Sequence, residues 1–422
     1  MKNYLPRIAD KILKVRLEAK GAVLIEGAKW CGKTTTASQI AESIIYMQDP
    51  SKKEQNLRMA EIEPSILLEG KTPRLIDEWQ LAPSLWDAVR FEVDQRDKFN
   101  QFILTGSSVP VDSTAISHTG TGRIARMLMR PMSLYESGDS KGKISLRELF
   151  EGNVERTAKS DLGIRDLSFL ICRGGWPKAI GQTERVALQQ AYDYYDSVVE
   201  SDLSWADGIQ RDPQKVRKLM RSYSRFLASD GKLTNIRSDM AANESDNLHE
   251  DTIASYINAL RRIFVVEELT AWSPNLRSKA AIRTSDTRHF VDPSIAVAAL
   301  GIGPEDLLND LNTMGFLFES MCVRDLRIFA DALDGNVYHY RDKYGLECDA
   351  IVHLRDGSYG LIEVKLGDRD VDEAAKNLIA LSEKIDTDRM KQPAFMMVLT
   401  GTEFAYQRED GVYVVPAGCL KD

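Results

Sequence analysis

Gly27-Ala28-Lys29-Trp30-Cys31-Gly32-Lys33-Thr34-Thr35 decides how the first third of this chain folds. It fits G-x-x-x-x-G-K-[ST], the pattern of a loop whose backbone N–H groups curl around a row of phosphates. The apolar run Ala22-Val23-Leu24-Ile25 precedes it, and helix-prone sequence follows from Thr35 to Ala41. Such a loop needs a strand before it and a helix after it, because a helix N-terminus presents unpaired N–H groups to an anion. In that arrangement Lys33 reaches the outer phosphates and the Thr34 hydroxyl ligates magnesium. The stretch 27–35 therefore predicts a nucleotide cradle.

Downstream, Pro73-Arg74-Leu75-Ile76-Asp77-Glu78 is a short apolar run that ends in two carboxylates. A buried parallel strand would deliver both to the sheet edge where the phosphates lie. There Asp77 holds the magnesium through water, and Glu78 polarises the attacking water. Phe102-Ile103-Leu104-Thr105-Gly106-Ser107-Ser108 repeats the pattern of an apolar strand ending in polar groups. Thr105 and Ser107 are both eligible to sense the γ-phosphate, and a serine there also suits the cap of a following helix.

The order of these elements resembles the AAA+ ATPases, and within them the bacterial and archaeal group that joins an AAA core to a DUF4143 region. The matching residues are 27–36, 75–80, 104–108, 121–134, the Arg173-Gly174-Gly175-Trp176-Pro177 stretch, Phe290-Val291-Asp292, and 347–365. The resemblance implies ATP and Mg2+ as cofactors. It also implies that Arg123, between two strands, serves as the arginine that reaches a neighbour's γ-phosphate, with Arg126 and Arg130 as rivals. An arginine supplied in trans would make the protein a homo-oligomer. Pro177 is expected to pack against the adenine.

Composition bounds the remainder. The chain has 422 residues, 43% hydrophobic and 28% charged, which suits two to four soluble globular domains. No apolar run approaches the length of a membrane span, and the opening residues Met1 to Asp10 carry no export signal, so a cytoplasmic protein without membrane contact is expected. Cys31, Cys172, Cys322, Cys348 and Cys419 are odd in number and lack paired spacing, which argues against a disulfide framework or zinc knuckle.

With 55 basic against 63 acidic residues the net charge is −8, so any contact with nucleic acid has to come from local clusters. One cluster is Lys215, Arg217, Lys218, Arg221 and Arg225, on a helix whose apolar stripe is Val216, Leu219, Met220, Tyr223 and Phe226. The other is Arg277, Lys279, Arg283 and Arg288, in sequence that suits a β-hairpin wing. Between them, Ile253, Tyr256, Ile257, Leu260 and Phe264 mark one face of another helix. Helices followed by a basic hairpin predict a winged helix-turn-helix and DNA as a partner, as the family resemblance also implies.

The last third carries a second constellation. Glu347-Cys348-Asp349 opens one strand, and Leu361-Ile362-Glu363-Val364-Lys365 ends another after the turn at Asp356-Gly357. Strand side chains repeat every two residues, so Glu363 and Lys365 share a face. The hairpin brings Asp349 beside them, and Glu319 on an upstream helix offers a further carboxylate. Asp349, Glu363 and Glu319 are candidate ligands of a second divalent metal, with Lys365 assisting hydrolysis. The pattern resembles the PD-(D/E)xK nuclease fold, although the usual proline before the first acid is missing.

The expected fold is α/β: a P-loop AAA+ core over 1–150, a helical lid over 151–211, a winged helix-turn-helix middle over 212–300, and an α/β nuclease-like domain over 301–422. The expected function is Mg2+-dependent ATP hydrolysis coupled to DNA binding or processing. Two other readings fit the same residues: a regulatory nucleotide switch that acts on protein partners, and a nuclease licensed by ATP.

Overall fold

The computed structural model describes residues 4–108, 120–154, 157–205, 208–241, 249–273, 285–388 and 390–422. Its first sheet is built from β1 (Ala22–Glu26), β2 (Ser43–Tyr46), β3 (Arg74–Asp77), β4 (Phe102–Gly106) and β5 (Ile124–Leu128). The five lie in the order β2-β3-β4-β1-β5, and every pairing is parallel. Helices cover both faces, which is why the strands read as apolar runs rather than alternations. Leu24, Ile76, Phe102 and Leu104 face helix α4 (Ser84–Arg96) with its buried Trp86 and Val89. Val23, Ile25, Leu75 and Ile103 face α1 (Ile8–Ala19) and α2 (Lys33–Ser38). All five strands therefore end at one edge, and the phosphate loop leaves β1 there.

After β5 come β6 (Ile144–Ser145), α5 (Leu146–Glu151), β7 (Thr157–Lys159), α6 (Ile164–Arg173) and α7 (Glu184–Ser197). A π-turn, Val198–Asp202, and a single turn α8 (Leu203–Trp205) extend α7. The tyrosine-rich run 192–202 is a packed helix: Tyr194 and Tyr195 are buried, and Asp193, Asp196 and Glu200 face outward. Helices α9 (Pro213–Arg225), α10 (Leu233–Ala241) and α11 (Glu250–Arg262) follow. Antiparallel bridges then join Val266 to Phe290 and Leu269 to Thr287. The expected wing residues Arg277, Lys279 and Arg283 lie outside the described residues.

The chain continues through α12 (Ser294–Leu300) and α13 (Pro304–Asn309) to α14 (Leu311–Ala332), and into β8 (Gly335–Arg341), β9 (Glu347–Leu354) and β10 (Tyr359–Lys365). Then come α15 (Val371–Lys384), β11 (Phe395–Thr400), β12 (Phe404–Gln407), β13 (Tyr413–Pro416) and β14 (Leu420–Lys421). Strands β8, β9 and β10 form an antiparallel meander, and β11 returns parallel to β10 after α15.

The units are less separate than the sequence suggests. Strand β7, inside the expected helical lid, pairs with β12 at the edge of the seven-stranded C-terminal sheet. Strand β14 pairs with β6, next to the end of the first unit. One apolar cluster runs from Ile8 through Trp176, Tyr223 and Phe318 to Leu420.

Buried ion pairs fasten these joints. The Arg130 guanidinium, after β5, binds Glu267 at 2.6 Å and Asp331 on α14 at 2.6 Å. Burial alone would raise the Glu267 pKa, but the guanidiniums of Arg130 and Arg327 outweigh it and lower it to about 2. Its unfolded value is 4.5, so the ionised pair stabilises the fold above that pH, and the contribution fades as pH falls toward about 2. Denaturation midpoints taken down this range should fall more steeply for the wild type than for Glu267→Gln.

Candidate nucleotide site and the C-terminal carboxylate cluster

Residues 27–32 turn from β1 into α2 beneath Met129. Gly27 has φ +147°, and a Cβ there would lie 2.1 Å from the Met129 carbonyl oxygen, so only glycine fits. Lys33 is buried and its Nζ donates to the carbonyls of Gly27 at 2.9 Å and Ala28 at 2.8 Å. Arg7 braces the loop from outside, donating to the Cys31 carbonyl at 2.8 Å while pairing with buried Glu136. Two loop residues on the cleft wall also reach the helices after it: Lys29 binds Asp202 at 2.6 Å, and the Trp30 ring meets Tyr194 edge-on at 5.7 Å. Tyr194 in turn lies 4.2 Å from Trp176, centroid to centroid.

Asp77 is fully buried at the end of β3. Its Oδ1 accepts from the Thr34 hydroxyl at 2.6 Å and the Thr105 hydroxyl at 2.6 Å, and its Oδ2 from the Gln48 amide at 2.9 Å. A carboxylate joined to the loop threonine is a fitting magnesium seat, because the same two oxygens can turn to a hydrated cation. Glu78 follows with φ 57° and ψ 47°, a left-handed conformation unusual outside glycine. Its Oε2 accepts from Ser107 Oγ at 3.1 Å and from the Gln80 amide. The polar groups at the end of β4 thus divide their work: Thr105 serves Asp77, and Ser107, just beyond the strand, serves Glu78.

Glu78 and Ser107 line a cleft of about 660 Å3 with Lys33, Thr34, Thr35, Ser108 and Pro177, and the fully buried Asp77 and Thr105 meet it through the Thr34 hydroxyl. Pro177 lies over the loop, its Cγ 3.5 Å from where a Cβ on Gly32 would be. Sequence reasoning missed Gln48, Gln80, Lys53 and Lys178, which also face the cleft. Gln80 alone had a local signal, since it follows Asp77-Glu78 in the same short segment.

The rest of Arg173-Gly-Gly-Trp-Pro is a joint. A Cβ on Gly175 would lie 2.1 Å from the Met132 carbonyl oxygen, and the Gly175 N–H donates to Asp292 at 2.9 Å. Trp176 Nε1 donates to Ser294 at 2.9 Å.

The three candidate arginines separate. Arg123 precedes β5 at the opposite end of the sheet from the cleft, where its carbonyl accepts from Ala22 N and its exposed side chain pairs with Asp94 at 2.8 Å. It cannot serve its own nucleotide. Arg126 pairs with Glu26 at 2.9 Å, and Arg130 is consumed by its buried pairs.

In the C-terminal sheet the hairpin does gather Asp349, Glu363 and Lys365. Lys365 Nζ lies 2.6 Å from Glu363 and 3.3 Å from Asp349, and Asp349 also accepts from the Val364 N–H at 2.7 Å. Burial and the charge of Asp349 push the Glu363 carboxyl up, and Glu319 is pushed up by burial and Asp349 as well. Among the described residues no group of three His, Cys, Asp or Glu side chains is arranged to hold a metal ion, so the expected second metal site has no support here. The ammonium of Lys365 reaches both acids and offsets their charge.

The basic face of the middle segment is also largely spent internally. Arg217 pairs with Asp196 at 3.0 Å and Glu200 at 2.6 Å, Arg225 with Asp239 at 2.8 Å, and Arg288 with Glu268 at 3.2 Å. No helix among the described residues is long and apolar enough to cross a membrane.

Comparison with known proteins bears on these sites. Residues 19–138 match the model of an AAA domain. Residues 164–306 and 314–420 match two domains of unknown function, DUF8612 and DUF4143. No curated protein matches the chain. Among solved structures it is similar to the Walker-type ATPase PABY2304 of Pyrococcus abyssi, at 13% identity over 70% of this chain and 96% of that one, with a TM-score of 0.43. It is also similar to RuvB of Thermotoga maritima, at 18% identity over 62% of this chain and 86% of that one, with a TM-score of 0.23. The AAA match covers the phosphate loop and the strand ends at Asp77 and Thr105, and the DUF4143 match covers Asp349, Glu363 and Lys365.

Proposed function

We propose that the protein is a Mg2+-dependent ATPase whose nucleotide state is relayed to the helical middle segment. The observation that carries this reading is the convergence of Lys33, Thr34, Glu78 and Ser107 on one cleft, with Asp77 and Thr105 hydrogen-bonded in a chain behind Thr34. ATP would lay its phosphates along 27–34, with Thr34 and Asp77 holding magnesium and Glu78 taking the proton from water. A magnesium ion held there would neutralise charge on the phosphates. Lys29 and Trp30 are the relay, because from the cleft wall they bind Asp202 and Tyr194. Arg123 is proposed to act in trans, on the cleft of a second copy.

Helices α9–α11 and the bridges after them support a winged helix-turn-helix that faces DNA. The meander β8–β10 with α15 and β11 supports a nuclease-like domain, in which Lys365 paired with both Asp349 and Glu363 favours binding over cleavage. Turnover of ATP with and without single- and double-stranded DNA, with Glu78→Gln as the blank, tests the coupling. Stimulation by DNA supports it. Unchanged turnover favours the regulatory switch acting on protein partners. In the same assay, turnover per chain that rises with wild-type concentration but not with Arg123→Ala supports the arginine in trans.

A further inference from the structure

The cleft contains one group whose cost has no structural return. Gln80 lies two residues beyond Glu78, in the short 3-10 turn Trp79–Leu81, and its side chain is half-buried. The Gln80 Nε2 donates to Glu78 Oε2. A carboxylate only accepts, so this bond fixes which end of the amide faces Glu78. The other end, Oε1, is turned into the protein, where it is buried and has no hydrogen-bond partner among the described residues. It points toward Gly106, where an added Cβ would lie 3.0 Å from it.

Buried acceptors are almost always matched, and an unmatched one calls for an explanation. Leucine or methionine would fill the same place without that cost. Glu78 is itself held in a left-handed backbone conformation, and such outliers cluster where function demands a fixed geometry. Ser107 Oγ donates to the same Oε2 at 3.1 Å. Two donors on one oxygen set the carboxylate plane and leave Oε1 of Glu78 to meet the water.

We infer that Gln80 is a positioning residue for ATP hydrolysis, which acts by clamping the Glu78 carboxylate together with Ser107. The inference rests on the reading of Glu78 as the base. In the step itself, the water oxygen bonds to the γ-phosphorus while the bond from that phosphorus to the β–γ bridging oxygen breaks. The water's proton passes to Glu78, and ADP leaves with the bridging electrons. Gln80 touches none of the reacting atoms; it fixes the direction in which Glu78 accepts.

Gln80→Leu and Gln80→Glu test this, measured for turnover at saturating Mg-ATP and for binding of a fluorescent ATP analogue. Both remove the donor, and the second keeps the shape if the first fails to fold. The expected result is a loss of kcat of about tenfold or more, with nucleotide affinity within about twofold of wild type. Placed on top of Glu78→Gln, either change should cost nothing further, because residues that act as a unit are not additive. Wild-type kcat in Gln80→Glu, a fall in affinity that matches the fall in kcat, or an additive loss in the double variant would each overturn the inference. If Glu78→Gln itself turns over at the wild-type rate, the fault lies with the ATPase reading of that residue instead.

Discussion

Glu78→Gln should bind Mg-ATP as tightly as the wild type and hydrolyse it about a thousandfold more slowly. The substitution keeps the side chain's length and its ability to accept from Ser107 Oγ, now 3.1 Å away. It removes the basic oxygen that would take the water's proton. Nucleotide contacts are left alone, since the cradle 27–34 and the Asp77 carboxylate with its three donors are untouched. Lys33→Ala should behave in the opposite way. The buried ammonium, which donates to the Gly27 and Ala28 carbonyls, is the cleft's deepest cation, so its loss should abolish binding together with turnover. A filter-binding or fluorescence titration beside a phosphate-release assay separates the two patterns. Equal turnover in Glu78→Gln and wild type would sink the role assigned to that residue.

Asp292→Ala should be the most damaging single change to stability, at about 3–5 kcal/mol. The carboxylate is fully buried and accepts from the Gly175 N–H, the Ser294 N–H and hydroxyl, and the Arg324 guanidinium at 2.8 Å. Removing it leaves Arg324 buried with Asp325, 2.7 Å away, as its remaining carboxylate among the described residues, and leaves the Gly175 N–H without its acceptor. An uncompensated buried charge costs far more than the net value of the pair that held it. Arg165→Ala is the matched control: its pair with Glu305 is 78% and 80% exposed, so the denaturation midpoint should stay where it was. Gly175 reports on the same joint, since a methyl there has to displace the Met132 carbonyl.

What could be read in advance followed the range over which each signal acts. The loop 27–35 and the strand ends at Asp77, Glu78, Thr105 and Ser107 are local patterns, each complete within a few residues, and they locate most of the cleft. Gln48 escaped because its role depends on β2 lying beside β3, a neighbour relation that no local pattern encodes. Strand β7 escaped for a different reason: it is three residues long with little burial, so it has no periodicity to detect, and its place comes from β12. The basic helix α9 was visible, but the acids that neutralise Arg217 and Arg225 sit on other helices. The trio Asp349, Glu363 and Lys365 was legible as a grouping, while the way they pair, one lysine reaching both acids, required coordinates.

The pairing of β14 with β6 bears on how the molecule is made. The Ser140 hydroxyl donates to the Leu420 carbonyl, and Lys141 N to the Gly418 carbonyl. During synthesis the segment at 140–145 emerges 280 residues before the partner that completes it. Until then its strand edge is open, and the apolar side chains of Ile144 and Leu146 lack the cover that Leu420 gives them. The first sheet can close early, whereas the seam beside it waits for the ribosome to reach the last strand. A chain stalled before that point would carry the first sheet with the edge of β6 still unpaired.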